Sequence, residues 1–257
     1  MSIAKAETLE GRVALVTGAG RGIGRSIAIG LAEMGAVVVL VSRSSNELDE
    51  VASAIAAVGG TALVAPADVS DRAQVTEVLK RVVDELGPVE VLVNNAAVVW
   101  PVAPSTTIDI AEFERALEIN VVAPAALTLD VLPSMLERGW GRVVNVSSGV
   151  AGQPQRMGGA NAYVTSKAAL EAHTLNLAAE LQGSGVGLNV YRPGIVDTSM
   201  QGWIRDQGPD RVGAALHERF VKHYEEGALI SSEESAAALL RRIASDATGQ
   251  IWDVLDE

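Results

Sequence analysis

Short apolar runs rich in valine and leucine alternate along the chain with longer stretches in which apolar residues recur at helical spacing. The short runs are RVALVT (12–17), AVVVLV (36–41), TALVAP (61–66), VEVLVN (89–94), GRVVNVS (141–147), GLNVYR (187–192) and GQIWDV (249–254). The helical stretches cover about 22–34, 46–58, 71–86, 109–138 with a break, 161–182 and 232–244. A strand that is apolar at consecutive positions buries both faces, and such strands separated by helices predict a parallel sheet covered on two sides. The expected fold class is therefore α/β: a doubly wound parallel sheet of about seven strands with helices on both faces. Ligands of such sheets bind beyond the carboxyl ends of the strands. One stretch breaks the alternation. Residues 199–230, SMQGWIRDQGPDRVGAALHERFVKHYEEGALI, mix Gly, Pro, polar residues and scattered aromatics after the sixth strand. Its position makes it a candidate lid over the site, with a plain surface insertion as the alternative.

A length of 257 residues suits one such domain over 1–257. The hydrophobic share of 48% and charged share of 20% are globular values. No apolar run reads as long and clean enough to cross a bilayer, and MSIAKAETLEGR lacks the basic-then-apolar order of a secretory signal, so a cytoplasmic protein without a membrane partner is expected. The absence of cysteine excludes disulfides, thiolate catalysis and cysteine-bound metals. His173, His217 and His223 make no plausible metal set, since one sits deep in a long helix and two lie in the candidate lid. A net charge of −12 argues against a nucleic-acid surface, and any anionic ligand needs a local exception.

That exception lies at the start. Directly after the first strand comes TGAGRGIG, with Thr17, Gly18, Arg21, Gly22, Ile23 and Gly24 leading into a helix. Glycines let the backbone turn sharply and approach a ligand, while the free amides of a helix N-terminus attract a pyrophosphate. The placement after a strand and before a helix is what a dinucleotide-binding turn requires. The second strand ends in Ser42-Arg43, without the acid that would bind an unphosphorylated ribose. Up to residue 45 the chain has five basic residues (Lys5, Arg12, Arg21, Arg25, Arg43) and three acidic ones (Glu7, Glu10, Glu33). Guanidinium groups at Arg21 and Arg43 offer charge-assisted bonds to a ribose phosphate and point to NADP(H).

GANAYVTSKAALEAHTLNLAAEL reads as an amphipathic helix with Tyr163 and Lys167 four residues apart on one face. Spacing alone leaves this pair open between ordinary surface and catalysis. The pair's place after SS at 147–148 and before RPG at 192–194, downstream of the glycine turn, favours catalysis. The glycine spacing TGxxxGxG, with VNNAAV, YVTSK and YRPGIVDT in that order, resembles the short-chain dehydrogenase/reductase family, Rossmann-like in fold, over about residues 11–254.

The resemblance implies roles residue by residue. In ADVSD, Asp68 and the Val69 backbone would meet adenine, although Ser70 and Asp71 also look like helix caps. In VNNAAV, Asn95 and Ala96 would contact the cofactor ribose region, with Ala97 replacing the usual glycine. Asn120 in ALEINVVAPA would kink its helix and support a water in a proton relay. Ser148 would bind the substrate carbonyl; it stands two residues farther from Tyr163 than the family spacing, which implies an insertion in GQPQRMGG. Pro193, Gly194, Val196 and Thr198 would frame the nicotinamide. Tyr163 would act as general acid, and Lys167 would lower its pKa and bind the nicotinamide ribose. The implied activity is NADPH-dependent reduction of a ketone or aldehyde. An NAD-dependent alcohol dehydrogenase and a non-catalytic NADP-binding sensor are the alternatives. Trp100, Met157 and Trp203 are candidate pocket residues for a bulky carbonyl. The ending SDATGQIWDVLDE lacks the family's usual close, and the helices over 109–138 and 161–182 are expected to pair subunits in a homodimer or homotetramer.

Overall fold

A computed structural model describes residues 8–256; the N-terminal stretch read for a signal, with Lys5 and Glu7 of the charge count, lies outside the described residues. The chain runs β1 (Val13–Thr17), α1 (Gly22–Glu33), β2 (Val37–Ser42), α2 (Ser45–Ala57), β3 (Thr61–Pro66), α3 (Arg72–Leu86), β4 (Val91–Asn94) and α4 (Ile110–Leu117). It continues through α5 (Ala123–Arg138), β5 (Gly141–Val146), α6 (Asn161–Glu180), β6 (Val186–Arg192), α7 (Ser199–Asp206), α8 (Pro209–Val212), α9 (Ala214–Glu225), α10 (Ser232–Leu240) and β7 (Ile251–Asp253). The strands form a seven-stranded sheet in the order β3-β2-β1-β4-β5-β6-β7, every pairing parallel.

Alternation along each strand builds two cores. Ala14, Val16, Val38 and Leu40 face one side, where α1, α2 and α10 contribute Ile27, Leu31, Leu48, Ile55 and Leu239. Val13, Leu15, Val39 and Val41 face the other, against Val75 and Val82 of α3, Leu127, Val131 and Met135 of α5, and Leu177 of α6. Leu15 and Leu188 are almost wholly buried, and each contributes roughly 2–3 kcal/mol by leaving water. The unusual ending still supplies an edge strand, with Ile251–Asp253 in register with Val190–Arg192.

Two expectations need correction. The break expected within 109–138 is a π-helical turn, Glu118–Val122, that joins α4 to α5 without interrupting the helix. The resulting helix, Ile110–Arg138, is long and apolar enough to cross a membrane by length and composition, which the sequence reading excluded. Half of it is buried inside the fold, because α5 packs on the sheet.

The stretch 199–230 folds as α7, α8 and α9. Ile204, Val212, Leu216 and Phe220 from these helices pack with Val99, Val102, Met157, Tyr163 and Val164 in a third apolar cluster at the carboxyl edge of the sheet.

Candidate active site

The first half of the site is the turn between β1 and α1. Side chains close the amino ends of some helices, with Ser44 on α2, Asp71 on α3 and a Ser231–Glu234 capping box on α10, but not those of α5 to α9. Helix α1 has no side-chain cap and no acid in its first turn, so its leading amides stay free for an anion. Gly22 adopts φ +54, and a Cβ there would touch the Thr198 methyl across the cleft. A Cβ on Gly24 would overlap the Gly18 carbonyl oxygen and the Asn95 amide. Gly24→Ala is therefore expected to displace the turn and weaken dinucleotide binding at least about tenfold, a loss of roughly 1.4 kcal/mol, measurable by calorimetric titration.

Several predicted cofactor contacts have internal work here. The Thr17 hydroxyl accepts bonds from the Asn95 and Ala96 amides at 3.0 and 3.1 Å, and the Asn95 side chain donates to the Thr17 and Gly18 carbonyls at 3.0 and 3.2 Å. These bonds lock the β1 turn to the β4 turn. Asp68 accepts from the Ser70 amide at 2.9 Å and lies 3.4 Å from Arg115. Burial raises its carboxyl, but the Ser70 bonds, Arg115 and Arg43 outweigh it and hold the pKa below the ordinary value. Asp71, not Asp68, caps α3. An open cavity of about 570 Å³ lies along Asp68, Gln74 and Arg115, away from Tyr163.

At the ribose end, Ser42 is half-buried and Arg43 exposed. Arg21 is not free: its guanidinium pairs with Glu47 at 3.5 Å, across an exposed edge. The sequence reading counted no acid at this corner because it looked only at the strand end. Glu47 enters from the first turn of α2, where its backbone amide is capped by Ser44.

The second half of the site is α6. Tyr163 and Lys167 are 8% and 2% exposed, so the face they share is buried and not a snorkelling surface. Ser148 lies beside the Tyr163 hydroxyl and favours its ionised form. The extra residues between Ser148 and Tyr163 are taken up by two short 3-10 turns, Gly149–Ala151 and Pro154–Met157, and leave that pairing intact. Lys167 donates to the Val146 carbonyl at 2.7 Å, and its Nζ lies 5.9 Å from the Tyr163 ring centre.

The charges differ from expectation. Burial pushes the Tyr163 phenol above its ordinary range, with Ser148 working against it. The expected lowering by Lys167 is not seen, because the ammonium points at the Val146 carbonyl and is itself desolvated. Burial lowers Lys167 to about 8, and Glu171 opposes the drop.

Asn120 sits in the π turn at 1% exposure. Its amide exchanges two 2.8 Å bonds with the Val98 backbone and donates to Ser166 at 3.0 Å; Ser166 in turn donates to the Tyr163 carbonyl at 2.7 Å. The side chain thus braces α6 against the loop after β4. Asn94 adds a second brace, donating to Asn145 at 2.8 Å, and Asn145 donates to Thr174 at 2.8 Å. Val196 is buried and bridges Ile230, and a Cβ on Gly194, at φ +81, would overlap Val254. Met157 and Trp203 join the apolar cluster beside Tyr163; Trp100 is not among its members. Among the described residues no cluster of acidic or histidine side chains could hold a metal.

Sequence reasoning missed Glu171, Arg192, Ser166 and Glu47. Only Glu171 left a usable signal, an acid one helical turn beyond Lys167.

The profile of the short chain dehydrogenase family matches residues 12–208. Ketoacyl reductase HetN of Nostoc sp. is 39% identical over 189 residues, which are 74% of this chain and 65% of that protein, just under two thirds of its length. The 2,3-dihydro-2,3-dihydroxybenzoate dehydrogenase of Bacillus subtilis is 32% identical over 94% of this chain and 92% of its own. A candidate NAD(P)-dependent gluconate 5-dehydrogenase from Beutenbergia cavernae, solved with NADP at low occupancy, matches with a TM-score of 0.84 and 32% identity over 97% of each chain. The chain belongs to the short-chain dehydrogenase family of nicotinamide-dependent oxidoreductases.

Proposed function

We propose that this protein reduces a ketone or aldehyde to an alcohol, with NADP(H) as cofactor and Tyr163 as proton donor. The observation that carries the reading is the buried Tyr163 hydroxyl beside Ser148 with Lys167 one turn along, at the sheet edge that also carries the uncapped α1 terminus. The fit to a dinucleotide rests on that free helix end and on Gly22 and Thr198 facing each other across the cleft. Bound there, the nicotinamide supplies the hydride.

The chain's own residues do the rest. Ser148 holds the carbonyl oxygen, and Tyr163, kept protonated by burial, gives it a proton. A raised phenol suits donation better than abstraction, which favours reduction as the working direction near neutral pH. Lys167, while it remains charged, holds the Val146 carbonyl at 2.7 Å and so fixes the end of β5 beside Ser148. Reduction is thus expected to fall as pH rises through about 8, because the needed form is the protonated one. The Asn120 side chain is fully engaged, so support of a water would fall to the main chain of the π turn. Helices α7 to α9 would act as the lid, closing an apolar pocket with Met157 and Trp203 over a bulky carbonyl.

NADPH consumption against a panel of ketones and aldehydes tests the reading; turnover of at least one supports it, and none across the panel with NADPH bound favours a sensor. One observation favours the alternative cofactor: Glu47 occupies Arg21, which a ribose phosphate would need. Glu47→Gln is expected to tighten NADPH binding about fivefold, roughly 1 kcal/mol, with NADH little changed, whereas Arg43→Ala should weaken mainly NADPH. NADH binding more tightly than NADPH in the unmodified protein would support the NAD-dependent reading.

We also propose a homodimer or homotetramer paired through α4 and α5. Val122, Leu129 and Leu136 lie seven apart along this helix and are 56%, 54% and 40% exposed. Sedimentation is expected to give a dimer or larger; a monomer would refute it.

A further inference from the structure

Beneath the Tyr163–Lys167 pair lies a buried charge cluster to which the proposed chemistry assigns no part. Glu171, 7% exposed, follows Lys167 by one turn of α6. Its Oε1 accepts from the Ser147 hydroxyl at 2.8 Å and from Arg192 Nε at 2.9 Å, and its Oε2 accepts from Arg192 Nη2 at 2.7 Å. The fork is bidentate and largely out of water, so it is stronger and more directional than a surface pair.

The three partners come from the three elements that carry the site. Ser147 directly follows β5 and immediately precedes Ser148. Arg192 ends β6 and immediately precedes the Pro193-Gly194 turn. Glu171 stands on the helix of Tyr163 and Lys167. The Arg192 guanidinium also lies against Gly152, where an added Cβ would sit 3.2 Å from Nη2. It therefore backs the lengthened loop between Ser148 and Tyr163, the place where the chain departs from the family spacing.

We propose that Glu171 is a positioning residue of the active centre: held by Arg192 and Ser147, its carboxylate keeps Lys167 charged and keeps Ser148 aligned on Tyr163. Of the groups around Lys167, Tyr163 and Glu171 come from its own helix, Arg192 comes from β6 behind Glu171, and the Val146 carbonyl that accepts its bond is neutral. Burial favours loss of the Lys167 proton, and Glu171 opposes that loss. Arg192 works in the other direction by neutralising Glu171.

The consequence for rate rests on the function proposed above; the consequence for Lys167 does not. The chain has four lysines, Lys5, Lys80, Lys167 and Lys222, so the Lys167 side chain can be titrated by NMR with labelled lysine and assigned by its loss in Lys167→Met. Its midpoint is expected near 8 in the unmodified protein. Glu171→Gln should lower that midpoint by about one pH unit, and Arg192→Met, which leaves the carboxylate unpaired, should raise it. The alkaline limb of kcat/KM for carbonyl reduction should move the same way in each variant. A purely structural role would reduce activity at all pH values without moving the midpoints in opposite directions. Unmoved midpoints, or shifts of the same sign in both variants, would overturn the proposal. If Glu171→Gln does not fold, Arg192→Met decides alone: an upward shift supports it and any other result refutes it. The NMR reading needs no turnover, so its failure is separable from failure of the carbonyl panel.

Discussion

Tyr163→Phe is expected to lower carbonyl reduction by roughly 10²- to 10⁴-fold while leaving NADPH affinity within about twofold. The substitution deletes one oxygen. The ring keeps its place in the cluster with Val99, Met157, Ile204 and Phe220, so the fold and helices α7 to α9 stay in place. What is lost is the hydroxyl beside Ser148, the group proposed as the proton donor. Steady-state rates with fluorescence titration of NADPH separate the two effects. Substantial residual rate in the purified variant would remove Tyr163 from its role.

Lys167→Met is expected to abolish most turnover and yet make the protein more stable at neutral pH. The folded-state value, about 8, lies below the 10.5 of an ordinary lysine, so the folded chain holds this proton more weakly than the unfolded chain does. Below pH 8 both states are protonated and the full penalty, roughly 3 kcal/mol, opposes folding. Between the folded and unfolded values the penalty fades as pH rises. Methionine removes it and gives up the Nζ bond to the Val146 carbonyl, which returns about 1 kcal/mol. A net gain of roughly 1–3 kcal/mol at pH 7, shrinking above pH 8, should appear in denaturant unfolding. Such a gain would identify Lys167 as a residue that costs stability at the site it serves.

The two cores were legible in the chain because strand alternation and helical period are local. Val13 and Leu15 against Ala14 and Val16 already assign faces. The glycine turn was legible for the same reason: Gly18, Gly22 and Gly24 answer to a geometry confined to eight residues. What was not legible depends on groups far apart in sequence. Arg21 reads as a free phosphate ligand until Glu47 arrives from the next helix. Tyr163 reads as acidified by Lys167 until burial of both groups is known, and burial is set by α7 to α9 and by β5 together. Ser147 reads as a turn residue beside Ser148 until β6 brings Arg192 to Glu171 and makes it part of a buried cluster. The insertion before Tyr163 was visible as a count, but its outcome was not, since the 3-10 turns that absorb it rest against Arg192.

The most direct test of the whole account uses NADPH carrying deuterium at the transferable position of its nicotinamide, with a carbonyl selected from the panel. The account predicts deuterium on the carbinol carbon of the alcohol product in the unmodified protein, and its near-complete loss in Tyr163→Phe at saturating cofactor. Deuterium absent from every product while NADPH binds would contradict it.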